Sequence, residues 1–167
     1  MLAKIRSMAV LGIDAFEIGI EADITEMIPS FTIVGLPDGA VRESRERVMS
    51  AIKNCGFDLP PRKVTINMAP ADMKKEGSAF DLPIAIGLLI ASGQVLIESP
   101  DQFIIIGELS LDGSVKKVKG VLSMAITARE LGAKNMIVPD ENAMEASVAD
   151  GVNIFPVKTL NEALDFL

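Results

Sequence analysis

A chain of 167 residues that is 49% hydrophobic can bury a core of its own without disulfide or metal staples. Its net charge of −7 argues against a general DNA-coating surface. With no His and one Cys, it lacks the commonest general base, the commonest metal ligand, an internal disulfide and a thiol cluster for zinc.

In chain order, residues 5–11 read as a strand and Gly12-Ile13-Asp14 as a turn. Residues 17–24 alternate strictly, with Ile18, Ile20, Ala22 and Ile24 on one face and Glu17, Gly19, Glu21 and Asp23 on the other. That is the period of a strand with one wet face. Residues 31–34 give a third strand, and these three are expected to form an antiparallel meander. Asp38 is placed to cap the next helix, whose buried stripe is Val41, Val48, Ile52 and Cys55. On its other faces lie Arg42, Glu43, Arg45, Glu46 and Arg47, with Arg42 and Glu46 at pairing distance. Gly56 is a good stop and Pro60-Pro61 forbids further helix.

Residues 64–68 are the next strand. Glu76-Gly77-Ser78-Ala79-Phe80-Asp81 then opens into an almost wholly apolar run, 82–91, ended by Gly93. A small-residue turn thus feeds a buried helix, with Pro83 in its first turn. Ser78 and Asp81 read as capping residues there. Residues 103–106 form a strand buried on both faces. Leu111-Asp112-Gly113-Ser114 signals a hairpin. Residues 118–131 form an amphipathic helix, with Val121, Leu122, Ala125 and Ala128 inward and Gly132 as its stop. Residues 135–138, a short helix from Pro139-Asp140, and 152–155 follow. Thr159-Leu160-Asn161-Glu162 matches a capping box for the last helix. A meander first and βα units later predict a two-layer α/β domain with a mixed sheet.

Three segments resemble the proteolytic domain of Lon-type proteases: Glu76-Gly77-Ser78-Ala79, Gly107-Glu108-Leu109-Ser110-Leu111-Asp112-Gly113, and the stretch from Gly120 to Leu131-Gly132-Ala133-Lys134 before Ile137-Val138-Pro139. Ile154-Phe155-Pro156-Val157-Lys158 also fits, and the same architecture recurs in the C-terminal domain of the RadA recombination ATPase. A fuller match is to the N-terminal domain of the Mg-chelatase-like AAA+ ATPases, the YifB/ComM family. It rests on Val34-Gly35-Leu36-Pro37-Asp38 with Ala40-Val41-Arg42-Glu43-Ser44-Arg45-Glu46-Arg47-Val48, and on Asn67-Met68-Ala69-Pro70-Ala71-Asp72 running into Lys75-Glu76-Gly77-Ser78 and Phe80-Asp81-Leu82-Pro83-Ile84-Ala85. The resemblance spans essentially the whole chain. It implies one Lon-protease-like (ribosomal protein domain 2-like) domain over residues 1–167, with an AAA+ module expected C-terminal to it. For the parent protein it implies ATP and magnesium, a hexameric ring and DNA processing in natural transformation or recombination; the single Cys55 points to a reducing cytoplasm. Neighbouring subunits and the chain's own AAA+ module are the implied partners, with DNA reached through the parent.

This chain has no G-x-x-x-x-G-K-[ST], so it carries no Walker A cradle for nucleotide. Its apolar runs are also well short of the roughly 20 residues that span a bilayer. Lon-type enzymes use a Ser–Lys dyad, with the serine in a G-P-S-A-G run. Set against that run without gaps, the serine position falls on Ala79, and Ser78 is displaced by one residue. At a helix start that shift turns a side chain by roughly 100°. The lysine position falls on Leu122, which cannot act as a base. The expected reading is a vestigial site in a non-catalytic domain. Its rival is a peptidase pairing Ser78 with Lys119, one turn before Leu122. A second rival is a stand-alone DNA binder using Arg42, Arg45 and Arg47. A chelatase accessory ranks last, for want of a His or an aromatic pocket. Leu36 and Pro37 offer an apolar loop tip for protein contact, and Lys74-Lys75 is the best local anion candidate.

Overall fold

The computed structural model describes residues 2–167. Nine strands and five helices follow in the order β1 (Leu2–Leu11), β2 (Asp14–Thr25), β3 (Ser30–Val34), α1 (Gly39–Asn54), β4 (Lys63–Ala69), α2 (Asp81–Ala91), β5 (Phe103–Ile105), β6 (Glu108–Leu109), β7 (Val115–Lys116), α3 (Val121–Glu130), β8 (Asn135–Pro139), α4 (Ala143–Ala146), β9 (Asn153–Val157) and α5 (Leu160–Asp165). Seven strands make one mixed sheet, ordered β3-β4-β2-β1-β5-β8-β9, while β6 and β7 form a separate hairpin.

The alternation read in the sequence sets the register. Ile20, Ala22 and Ile24 of β2 stand opposite Met68, Ile66 and Val64 of β4, and Ile20 also opposes Ile5 of β1. These residues are buried against α1 and α2. All eleven residues of α2 are buried, which is why its sequence shows no polar face. The two-layer α/β arrangement is therefore present. The opposite face is covered too, by α3 against β1 and β2 and by α4 against β8 and β9. There α3 and α4 pack Val121, Met124, Ala125, Ala128 and Ala146 onto Ile104, Met136 and Val138.

One expectation is corrected. β3 does not extend a meander from β2. It pairs parallel to β4, Ser30 opposite Lys63 through Val34 opposite Asn67, and lies at the sheet edge. The segment β3–α1–β4 is a strand–helix–strand crossover, which returns the chain parallel to itself. β4 thereby takes the place beside β2. A smaller correction concerns α3, which starts at Val121 rather than residue 118.

The expected caps of α1 and α5 are present. Asp38 Oδ1 accepts from Val41 N at 2.8 Å and starts α1. Thr159 Oγ1 accepts from Glu162 N at 3.1 Å and starts α5. The return bond of the expected capping box goes to Lys158 N at 2.6 Å. Gly56, Gly93 and Gly132 follow α1, α2 and α3 with φ of 92°, 76° and 76°. Replacing Asp38 by Ala should lower stability by about 1 kcal/mol, read as a shift in denaturant midpoint; an unchanged midpoint would mean the cap is idle.

Candidate functional site

The site is built where the segment after β4 meets the loop after β3. Lys75 N donates to Leu36 O at 3.1 Å, and Asp38 N donates to Lys75 O at 2.9 Å. The second carboxylate oxygen of Asp38 accepts from Gly77 N at 3.3 Å. Gly35 is required by space and by torsion. Its φ is 100°, and a Cβ there would lie 2.0 Å from Met68 O. Leu36 takes a φ of 57° and is 53% exposed. A left-handed leucine costs about 1–2 kcal/mol, so the loop must be held from outside.

Lys75 holds it. Its side chain is fully buried, with Nζ donating to Gly35 O at 2.8 Å and also to Pro70 O. Burial pushes its amine below the ordinary lysine value, partly opposed by Asp72. The expectation that Lys74-Lys75 forms an anion site is therefore corrected. Lys75 is turned inward onto carbonyls, and Lys74 is exposed and paired with Glu76 at 2.7 Å.

Ser78 opens onto a cleft of about 480 Å³. Met8, Val10, Phe80 and Met124 supply apolar walls, and Lys117 and Lys119 line the same hollow. The Ser78 hydroxyl donates to Glu108 Oε2, at the hairpin. No lysine amine is hydrogen-bonded to Ser78 among the described residues. Ala79 is buried and its carbonyl accepts from Gly107 N at 2.9 Å. Leu122 is half-buried, and its N–H donates to Glu145 Oε1 at 3.1 Å.

Neither Ser78 nor Asp81 caps α2, which corrects that reading: its N-cap is Phe80 and no side chain bonds there. Asp81 is instead fully buried in an ion pair with α1. Arg47 Nε reaches Asp81 Oδ2 at 2.6 Å and Nη2 reaches Oδ1 at 3.0 Å. Leu109 N adds a third bond at 3.1 Å. Burial raises the Asp81 carboxyl from its ordinary 3.8 to about 6, against the opposing pull of Arg47 and the Leu109 N–H. Pairing with Asp81 in turn raises the Arg47 guanidinium. Arg47 thus leaves the arginine set read as a DNA-contact face, while Arg42 and Arg45 stay exposed on α1. The ion pair on that face joins Arg45 to Glu46 at 3.7 Å, in place of the expected Arg42–Glu46 pair.

A nucleotide phosphate does not fit the start of α2. Asp81 and Glu108 stand there, and Leu82 N already donates to Gly107 O at 3.0 Å. Cys55 is half-buried, and burial pushes its thiol up. Among the described residues no helix is long and apolar enough to cross a membrane.

Residues 20–142 match the family model for subunit ChlI of Mg-chelatase. The chain belongs to the ChlI family. This ChlI-type chain is 42% identical over 166 residues to the uncharacterized protein YifB of Salmonella typhimurium, covering 99% of itself and 33% of YifB. It is 41% identical over 166 residues to the competence protein ComM of Haemophilus influenzae, covering 99% of itself and 32% of ComM. A weaker likeness, 31% over 123 residues, links it to Lon protease 2 of Bacillus subtilis, covering 73% of this chain and 22% of the protease. The ChlI-type chain spans about a third of the length of its YifB and ComM relatives.

The Arg47–Asp81 pair and the buried Lys75 were not predicted. One signal for Arg47 was present: it lies three residues after buried Ser44 and four before buried Ala51, on the flank of the α1 stripe.

Proposed function

We propose that this chain is a non-catalytic interaction domain of a Mg-chelatase-like AAA+ ATPase. ATP and magnesium belong to a motor module outside it, and the parent works as a cytoplasmic, hexameric ring. The competence protein named among its relatives supports DNA processing in natural transformation as the parent's task. The observation that carries the reading is the bond from Ser78 to Glu108. A serine nucleophile needs a positioned base to take its proton, and a carboxylate is a weak base for a hydroxyl. In a gap-free comparison with the Lon-type run, the two dyad positions fall on Ala79 and Leu122. The cleft's use in this reading is contact rather than cleavage.

The second reading, a Ser78–Lys119 peptidase, is favoured by one observation: Lys119 lines the same cleft as Ser78. Hydrolysis of fluorescently quenched casein separates them. The expected result is a background rate, equal for the native chain and Ser78→Ala. Turnover that Ser78→Ala abolishes would make the chain a hydrolase.

A further inference from the structure

We propose that the β3 edge of the sheet accepts an extended acidic segment of a partner protein as an added strand, between the strand and the two exposed arginines of α1. This inference does not depend on whether the Ser78 cleft is catalytic.

β3 pairs with β4 on one side only. Beyond that ladder, Ser30–Val34 makes no backbone hydrogen bond among the described residues. Exposed edges are usually blunted by Pro or charge. The opposite edge, β9, carries Pro156 and is followed by Lys158. β3, with sequence Ser-Phe-Thr-Ile-Val, carries neither. Apolar exposure continues past both of its ends, with Ile28 87% exposed before it and Leu36 after it.

Two hollows run beside this edge. One of about 330 Å³ is lined by Phe31, Thr32, Ile33, Arg42 and Arg45. The other, about 290 Å³, shares Phe31 and Arg45 and continues to Pro29, Met49 and Arg62. The two hollows meet at Phe31 and Arg45; of their three arginines, Arg45 and Arg62 are ion-paired with Glu46 at 3.7 Å and Glu26 at 3.3 Å at exposed positions, which leaves Arg42 open to a new carboxylate. Arg45 lies over the Phe31 ring at 5.8 Å, which holds its guanidinium at the rim. Arg42 has no side-chain hydrogen bond or ion pair among the described residues.

An added strand presents alternate residues to the α1 side. On that side its side chains would meet Phe31, Ile33 and the guanidinium groups of Arg42 and Arg45. Carboxylates at every second position satisfy both the spacing and the charge. Nucleic acid fits less well. The two hollows offer main-chain edge groups and a single ring, already covered by Arg45, and the chain as a whole is at −7.

The test is fluorescence anisotropy of a fluorescein-labelled peptide of alternating Glu and Val. Saturable binding is expected for the native chain, with at least a tenfold loss in Arg42→Glu/Arg45→Glu, both exposed positions, once circular dichroism shows that variant folded. Methylating the peptide's alternate backbone nitrogens should abolish binding with its charge unchanged. The proposal is overturned by absence of saturable binding to the native chain, by binding indifferent to the arginines or to N-methylation, or by tighter binding of a Lys–Val peptide or a single-stranded oligonucleotide in the same hollows.

Discussion

Arg47→Met should lower stability by about 3–5 kcal/mol at pH 8 and by clearly less at pH 5. The substitution keeps the aliphatic stem and deletes the charge. It strips the fully buried Asp81 of two of its three bonds, leaving only the Leu109 N–H. The sign of the pH effect follows from the raised carboxyl. In the native state Asp81 holds its proton up to about pH 6, and in the unfolded chain only to about its ordinary 3.8. Between those values the folded state binds more protons, so this group's contribution to stability grows as pH falls through 6 and levels off below 4. Removing Arg47 removes the main pull that lowers the Asp81 value, so its native value climbs and the window widens upward. At pH 8 the variant must bury an unpaired carboxylate. At pH 5 it buries a neutral acid. Denaturant titrations at the two pH values check this, with Asp81→Asn as the control that flattens the dependence. An equal loss at both would show that Asp81 is not the group responsible.

Lys75→Met should cost about 2–4 kcal/mol, since two buried carbonyls lose their donor. Part of that loss is offset, because the native fold no longer desolvates an ammonium. The effect should be local as well as global. Without the amine bridging Gly35 O and Pro70 O, Leu36 is held at its φ of 57° from outside the loop only by the two backbone bonds to residue 75 and the bond from Gly77 N to Asp38, among the described residues. Hydrogen exchange should therefore quicken first at the amides of Asp38 and residue 75, before β4 opens. Uniform loss of protection across the sheet would mean that Lys75 is a general core residue rather than a clip for this loop.

Much of the fold is legible because its causes are local. Residues 17–24 alternate because one face of β2 is buried and the other only half-buried, and 82–91 lack polar residues because α2 is surrounded. Asp38 and Thr159 cap within three residues of themselves. What the sequence hides depends on distant partners. The place of β3 is decided by a strand that follows a whole helix. Arg47 sits in a mixed-charge run that reads as a solvated face, and its partner is 34 residues away. Lys75, inside Lys-Lys-Glu, has every local mark of a surface residue. Only folding brings the Gly35 carbonyl, 40 residues distant, to its amine. At the candidate site, Ser78 itself could be picked out from the sequence. The acceptor Glu108, 30 residues on, could not.

These hidden contacts share a consequence for the site. Arg47, Lys75 and Asp38 fix the frame around Ser78, while the hydroxyl itself is turned to a carboxylate. That frame sets Ser78 against Glu108, and no lysine amine is hydrogen-bonded to it among the described residues. Mass spectrometry of the intact chain after exposure to a fluorophosphonate tests this most directly. An unshifted mass is expected. A single adduct on Ser78, lost in Lys119→Met, would contradict it.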